Sequence, residues 1–239
     1  MFRFEPLLHF PKFYATLALI RNNPNFEKIL YLREIKQGDT VFDLGANIGY
    51  YTYLFSKLAG PGGEVNAFEP VPVTFQKLCE NTKNCKNTKL NNFAVGEKTN
   101  EVEIFYDPND LGKSSMIPEL LASKKTEKIK VVHLDEYCHV NNVKRLDFVK
   151  CDVEGYELHT VQGMLQTLRK FRPQLSIEIT LPRKERMVLF ELLKEIGYDI
   201  FRKIERNYPL LSEDKDLNSD NFFYLHALSS KSTTSVSEA

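Results

Sequence analysis

The chain has 239 residues, of which 42% are hydrophobic and 27% are charged, enough apolar chain for one sizeable core. Lysine and arginine together number 32, as do aspartate and glutamate, so the formal net charge is zero. A neutral chain has no overall field that would draw it to nucleic acid or to an anionic membrane, and we expect no nucleic-acid partner. The four cysteines form no C-x-x-C pair, which favours reduced thiols in a cytoplasmic protein.

The first residues, MFRFEPLLHFPKFYATLALIRNN, are apolar and aromatic but are interrupted by charges and prolines. These interruptions argue against a signal peptide, and no later run approaches the roughly 20 apolar residues that a spanning helix needs. We therefore expect no transmembrane segment. Residues 1–37 are predicted to form a helical cover, and their apolar surface is a candidate contact for a homodimer.

Strand and helix patterns alternate after this cover. The predicted strands are TVFDLG, EVNAFEP, TKLNNFAVG, EVEIFYD, KIKVVHL, RLDFVKCD, QLSIEIT, YDIFRKIE and NFFYLHAL, and the predicted helices are IGYYTYLFSKLA, VTFQKLCENTKN, ELHTVQGMLQTLRKF and RKERMVLFELLKEIG. The polar stretch PNDLGKSSMIPELLASKKTE is predicted to be a loop that covers a site, and residues 229–239 a disordered tail. Repeated strand, helix, strand units predict an α/β domain over residues 38–228, with a mainly parallel sheet and helices on both faces.

Ligands of such sheets bind outside the carboxyl ends of the strands. Polar residues and glycines follow the predicted strands at that edge. From the first strand to the fifth of the parallel set they are Asp43 and Gly45, Glu69, Asn92 and Ala94, Asp152 and Glu154, and Glu178.

The turn DLGANIG connects a predicted strand to a predicted helix. Gly45 and Gly49 would let the backbone turn tightly and approach a ligand, and the start of the helix offers unpaired N–H groups. Glu69 follows at about the spacing at which an acid on the second strand binds ribose hydroxyls. Together these features predict an adenosine-containing ligand.

The identity of that ligand depends on what surrounds the glycines. The dinucleotide pattern G-x-G-x-x-G is absent from the turn, and Asp43 precedes the first glycine. A carboxylate would repel a pyrophosphate, but it would pair with the ammonium group of S-adenosyl-L-methionine. S-adenosylmethionine is therefore favoured over NAD, and an NAD-dependent oxidoreductase on a Rossmann fold is kept as the alternative.

The elements D-L-G-A-N-I-G, F-E-P, N-F-A-V-G and K-C-D-V-E-G-Y-E occur in this order. Over residues 38–180 they resemble the FkbM family of S-adenosylmethionine-dependent methyltransferases. The resemblance implies a class I methyltransferase fold, Rossmann-like, with a seven-stranded sheet whose last strand is antiparallel, and methyl transfer to oxygen. It also implies residue roles: the methionine end of the cofactor at Asp43, Gly45, Asn47 and Gly49, the ribose at Glu69, the adenine at Asn92 to Val95 including Ala94, and the reacting methyl at Asp152 and Glu154.

A sulfonium is already an activated methyl donor, so the enzyme must mainly align a hydroxyl and remove its proton. We predict Asp152 as the base, with Glu154 and Glu178 as catalytic neighbours that raise its pKa by like-charge repulsion. Alternatively, Asp152 and Glu154 cap the helix that begins near Tyr156. Lys150 is expected to be a strand residue with a solvated ammonium.

The three acids also resemble an oxygen-rich site for a divalent metal, but no D-x-D-x-D loop occurs, so a metal is not favoured and no metal ligand is assigned. The predicted function is S-adenosylmethionine-dependent O-methylation of a hydroxyl on a small molecule or a glycan. A non-catalytic S-adenosylmethionine-binding regulatory protein is the further alternative. Methylation of nucleic acid is disfavoured by the neutral charge and by the absence of an N-P-P-Y signature.

Overall fold

The computed structural model describes residues 26–107, 110–115, 125–198, 200–204, 211–213 and 221–226. The predictions for the chain before residue 26 and for the tail 229–239 lie outside these residues, so the N-terminal cover is represented by a single helix. The described elements, in chain order, are α1 (Phe26–Glu34), β1 (Thr40–Leu44), α2 (Tyr50–Ala59), β2 (Glu64–Phe68), α3 (Pro72–Thr82), β3 (Thr88–Asn91), β4 (Ala94–Val95), β5 (Asn100–Asp107), β6 (Asp110–Ser115), β7 (Lys125–Val132), α4 (Leu134–Val140), β8 (Phe148–Cys151), α5 (Glu157–Gln162), α6 (Leu165–Phe171), β9 (Gln174–Ile179), α7 (Arg183–Glu195), β10 (Ile200–Ile204), β11 (Leu211–Glu213) and β12 (Asn221–His226).

The main sheet has eight strands in the order β11-β10-β12-β9-β8-β1-β2-β3. Strands β3, β2, β1, β8 and β9 run parallel to one another, and β12 runs antiparallel to both β9 and β10. The mainly parallel sheet with an antiparallel last strand is thereby confirmed. The short strand β11 pairs with β10 at the edge and adds one strand to the seven expected.

Three local predictions were wrong. The segment TKLNNFAVG is two strands, because β4 leaves the main sheet and pairs with β7 in a second sheet of order β4-β7-β5-β6. Part of the expected covering loop, Asp110–Ser115, is β6, which pairs antiparallel with β5. The helix expected over residues 157–171 is divided into α5 and α6 next to Gly163. A Cβ on Gly163 would lie 2.0 Å from the Gly96 carbonyl oxygen.

Helices α1 and α2 cover one face of the main sheet. Val41 and Phe148 pack with α1 and α2, and Tyr31 of α1 meets the rings of Phe55 and Phe148 edge-on, with ring centroids 5.0 and 5.6 Å apart. Each such buried aromatic contributes about 1.5–3 kcal/mol through loss of exposed apolar area. Successive side chains of a strand alternate between faces, so residues two positions along from Val41 and Phe148 also point toward α1 and α2. Within the described ranges, every helix is too short or too polar to cross a bilayer.

Candidate active site

A cleft opens at the carboxyl ends of β1, β2 and β8, with an empty volume of about 710 Å³ that is continuous with solvent. The lining residues are Leu44, Gly45, Asn47, Phe68, Glu69, Pro70, Ala94, Val95, Ile104, Asp152, Val153, Glu154 and Tyr156. The cleft therefore brings together several residues that the sequence singles out: Gly45, Asn47, Glu69, Ala94, Asp152 and Glu154.

Gly45 lies where the ends of β1 and β8 come closest. Its φ is 76°, and a Cβ at this position would lie 1.8 Å from the carbonyl oxygen of Asp152. The N–H groups of Gly45 and Ala46 donate to the carbonyl oxygen of Phe68 at 3.1 and 2.9 Å, which ties the turn to the end of β2. A glycine is needed here because a side chain has no room and because positive φ is unfavourable for other residues.

Glu69 is 4% exposed and lies at the base of the cleft. Its Oε1 accepts the N–H of Val71 at 2.9 Å, and its Oε2 accepts the N–H of Asn47 at 3.0 Å. Burial raises the pKa of Glu69 to about 7, although both backbone hydrogen bonds act to lower it. Each carboxylate oxygen has a further lone pair, so Glu69 can accept two hydroxyl groups in addition to these N–H groups.

Three predicted cofactor residues are not among the lining residues of the cleft. Asn92 donates its Nδ2 to the carbonyl oxygens of Glu69 and Pro70, at 2.9 and 3.0 Å, and so holds the loop after β2. Gly49 is the N-cap of α2, and a Cβ there would lie 2.7 Å from Leu78 Cδ1 of α3.

Asp43, the third, is fully buried and accepts the hydroxyl of Thr52 at 2.6 Å. Burial raises the pKa of Asp43, and its Oδ1 has no hydrogen-bond partner within the described residues. The cation beside it is the ammonium of a lysine of this chain, 3.8 Å from Oδ1.

Lys150 supplies that ammonium. The prediction that its ammonium is exposed to solvent was wrong. The residue is 2% exposed, and its Nζ lies 3.1 Å from Asp152 Oδ2 and 3.8 Å from Asp43 Oδ1. Burial by itself would lower the pKa of Lys150, but the carboxylates of Asp152, Asp43 and Glu27 outweigh it and raise the pKa. The sequence carried a signal for this contact, because residues two apart on a strand share a face and Lys150 precedes Asp152 by two.

Asp152 and Glu178 form an acidic pair next to this lysine. Burial, the charge of Asp152 and a hydrogen bond between the two carboxyl groups raise the pKa of Glu178 to about 8, and Glu154 and Glu27 add smaller contributions. At neutral pH the two carboxyl groups therefore share a proton. The raised pKa therefore belongs to the pair.

Glu154 and the residues after it form the turn between β8 and α5. Glu154 has a φ of 49°, in the left-handed region. The N-cap of α5 is Tyr156, whose own side chain makes no capping hydrogen bond. Instead Glu157 Oε1 accepts the N–H of Gly155 at 2.8 Å.

Glu157 was not predicted as a site residue, because in the sequence it resembles an ordinary exposed acid at the start of a helix. The residue is fully buried, and burial raises its pKa to about 7. Its Oε2 has no hydrogen-bond partner among the described residues. Across those same residues, no group of three or more His, Cys, Asp or Glu side chains is arranged to hold a metal ion.

The strand order, the antiparallel last strand and a polar cleft at the carboxyl edge define a class I methyltransferase fold, whose cofactor is S-adenosyl-L-methionine. The chain belongs to the FkbM methyltransferase family, because residues 43–205 match the Methyltransferase FkbM domain. The methyltransferase FkbM from Methylobacillus flagellatus KT has a similar structure, with a TM-score of 0.51 at 17% identity over 92% of this chain and 58% of that one.

Curated relatives match part of the chain. The hexuronic acid methyltransferase AglP of Haloferax volcanii is 30% identical over 140 residues, which are 59% of this chain and 56% of AglP. The 31-O-demethyl-FK506 methyltransferase FkbM of Streptomyces tacrolimicus is 36% identical over 99 residues, 40% of this chain and 38% of that protein. The chain thus spans about half the length of the curated relatives it matches.

Proposed function

We propose that the protein is an S-adenosylmethionine-dependent O-methyltransferase that methylates a hydroxyl of a small molecule or a glycan. The observation that carries the proposal is the Asp152–Glu178 pair at the cleft, whose charge is partly balanced by the buried Lys150. Two relatives support an oxygen acceptor, since one is named for a hexuronic acid and the other for the 31-O position of FK506.

The lining of the cleft suits the cofactor of the class. Glu69 offers two acceptor oxygens for the ribose hydroxyls, and the Gly45 to Asn47 turn would lie along the methionine end. The apolar side chains of Val95 and Ile104 with the ring of Tyr156 form a wall for the adenine. When bound, S-adenosylmethionine supplies a methyl group that is already activated by a sulfonium.

The residues of the chain then have to orient the acceptor and move its proton. Asp152 lines the cleft and is the proton acceptor, because Lys150 Nζ at 3.1 Å stabilises its negative charge and orients the carboxylate. Glu178 is hydrogen-bonded to Asp152 and controls its basicity through the proton that they share. Glu154, at the rim, is placed to contact the acceptor.

The first test is calorimetry of S-adenosylmethionine and of NAD with the wild type, Glu69→Ala and Glu64→Ala. Glu64 is the matched control, because it is an acid at the opposite end of the same strand and pairs with Lys89 at 2.9 Å. We expect binding of S-adenosylmethionine that Glu69→Ala loses and Glu64→Ala keeps, without matching binding of NAD. Binding of NAD alone would contradict the proposal.

The second test is transfer of a labelled methyl group to a panel of neutral sugars, uronic acids and hydroxylated macrocycles. Mass analysis of the product distinguishes an ether from a methyl ester. Label on a hydroxyl oxygen supports the proposal, whereas label found only on a carboxylate or on nitrogen overturns O-methylation of a hydroxyl while leaving the cofactor assignment intact.

A further inference from the structure

Three adjacent strands align a row of buried polar side chains on the face that α1 and α2 cover. The register pairs Asp43 of β1 with Lys150 of β8, and Lys150 with Ser176 of β9. Their exposed fractions are 0%, 2% and 1%, so this row has no access to solvent. Two residues further toward the cleft on the same face are Asp152 and Glu178.

Glu27 reaches this row from α1. Its Oε2 accepts the hydroxyl of Tyr51 at 2.6 Å, and its Oε1 accepts the hydroxyl of Tyr31. The Tyr31 oxygen lies 3.2 Å from Ser176 Oγ as well, so α1 is hydrogen-bonded to the end of the row on β9. Most of the Glu27 side chain is buried, and burial raises its pKa while Lys150 and the two tyrosines act to lower it.

Tyr51 links Glu27 to the lysine. Its hydroxyl is held by Glu27, and the Nζ of Lys150 lies 5.4 Å from the centroid of its ring. An ammonium at this distance from an aromatic face is attracted by the ring quadrupole. One side chain of α1 thus fixes the orientation of a ring that contacts the same ammonium as Asp43 and Asp152.

We propose that Glu27 is a positioning residue of the methyl-transfer site: it holds Tyr51 against Lys150, and so fixes the ammonium beside Asp152. The helix that carries it lies outside the residues 43–205 that match the family domain, so α1 completes the site from beyond the matched region. The description as a methyl-transfer site rests on the proposed function, but the contacts themselves involve neither cofactor nor acceptor.

The charged and titratable neighbours determine what a neutral residue at position 27 would do. Glu27 interacts with Tyr31 on its own helix and with Tyr51 on α2. It also interacts with Lys150 of β8 and with Asp152, which follows β8. Glu178 in turn faces three carboxylates, those of Asp152, Glu154 and Glu27. Loss of the charge of Glu27 removes one of the negative groups that disfavour ionisation of Glu178, so the pKa of Glu178 should fall.

The test is an NMR titration of the glutamate side-chain carboxyl carbons in the full chain without cofactor, for the wild type, Glu27→Gln and Glu34→Gln. Glu34 is the matched control, because it lies on the same helix and pairs with Arg33 at 2.5 Å instead. We expect the titration midpoint of Glu178 to be lower in Glu27→Gln than in the wild type and to stay unchanged in Glu34→Gln. An unchanged Glu178 midpoint in a folded Glu27→Gln protein would overturn the proposal.

If Glu27→Gln does not fold, Tyr51→Phe provides the test, since it keeps the ring but removes the hydroxyl that Glu27 accepts. The midpoint of Glu27 itself should then rise, because a hydrogen bond that favours its charged form is lost. A Glu27 midpoint that does not move between the wild type and Tyr51→Phe refutes the proposed contact. Because these titrations need no methyl transfer, they fail or succeed independently of the proposed O-methyltransferase activity.

Discussion

Lys150 and Asp152 are two residues apart along the chain, and the Nζ of the first lies 3.1 Å from Oδ2 of the second although the lysine is 2% exposed. A buried ammonium is stable in the folded protein only when nearby negative groups replace its hydration. Asp43 does so from the neighbouring strand, at 3.8 Å. The same contacts therefore stabilise the fold and balance the charge of Asp152, the candidate proton acceptor.

Replacing the lysine should destabilise the protein strongly. Lys150→Met leaves the buried Asp43 without its counter-charge, and we expect a loss of about 3–5 kcal/mol in the free energy of unfolding, measured by urea denaturation. Lys89→Met is the control: Lys89 also pairs with an acid, but its side chain is 55% exposed, so the change should stay within about 0.5 kcal/mol. Equal losses in the two variants would contradict this account.

The stabilities of Gly45→Ala and Gly38→Ala should differ, because the first adds a steric clash to backbone strain and the second adds backbone strain alone. Both glycines have positive φ, 76° and 86°, but a Cβ at Gly38 meets nothing within 4 Å whereas one at Gly45 meets the Asp152 carbonyl oxygen. We expect Gly38→Ala to cost about 1 kcal/mol and Gly45→Ala about 3 kcal/mol or more, from urea denaturation. Similar costs would show that the close approach of β1 and β8 is unimportant.

The affinity for S-adenosylmethionine should depend on pH through Glu69, whose pKa is raised to about 7. In the proposed site, ribose hydroxyls donate to the ionised carboxylate of Glu69, so the affinity should fall as the pH decreases below 7, by up to about tenfold per unit. Calorimetry between pH 5.5 and 8.5 measures this dependence. Glu69→Gln should bind more weakly at pH 8 and with a flatter profile; a profile as steep as that of the wild type would exclude Glu69 as the titrating group.

The rate of methyl transfer should rise with pH through about 8, the raised pKa of Glu178. In the proposed mechanism, the proton that the pair shares below this pH weakens Asp152 as a base; above this pH the proton is lost and Asp152 becomes more basic. The measurement is kcat against pH with an acceptor identified from the panel. Glu178→Gln keeps a donor toward Asp152 but cannot titrate, so the rise near pH 8 should disappear, and its persistence would assign it to another group.

Stability should also depend on pH through the buried Glu157, whose pKa is raised from 4.5 to about 7. A raised pKa in the folded state means that the protonated form is favoured there. Its contribution is complete below pH 4.5 and is lost as the pH rises through 7, a change of about 3 kcal/mol. Urea denaturation at pH 5 and pH 8 should show a smaller difference for Glu157→Gln than for the wild type. Glu69 and Glu178 titrate in the same direction, so some dependence should remain.

Local patterns were sufficient for most elements. Apolar segments predicted β1, β2, β8 and β9, and helical periodicity predicted α2, α3 and α7, because both patterns depend only on neighbours along the chain. The short helix α4 was not predicted. The pattern failed where a tertiary contact overrides it. Residues 157–171 divide into two helices next to Gly163, which lies close to the remote Gly96, and the pairing of β6 depends on the remote strand β5.

The sequence by itself determined the family, the α/β class and the edge of the sheet at which the polar residues gather, since the carboxyl ends of parallel strands must meet. Only the tertiary structure decided which of those side chains are in the cleft and which lie beneath it. Asp43 and Lys150 are brought together by the pairing of β1 with β8, and Glu27 joins them because α1 packs across the same face. Burial of each group follows from these packed elements, and burial shifts a pKa in a way that no single segment of chain can specify.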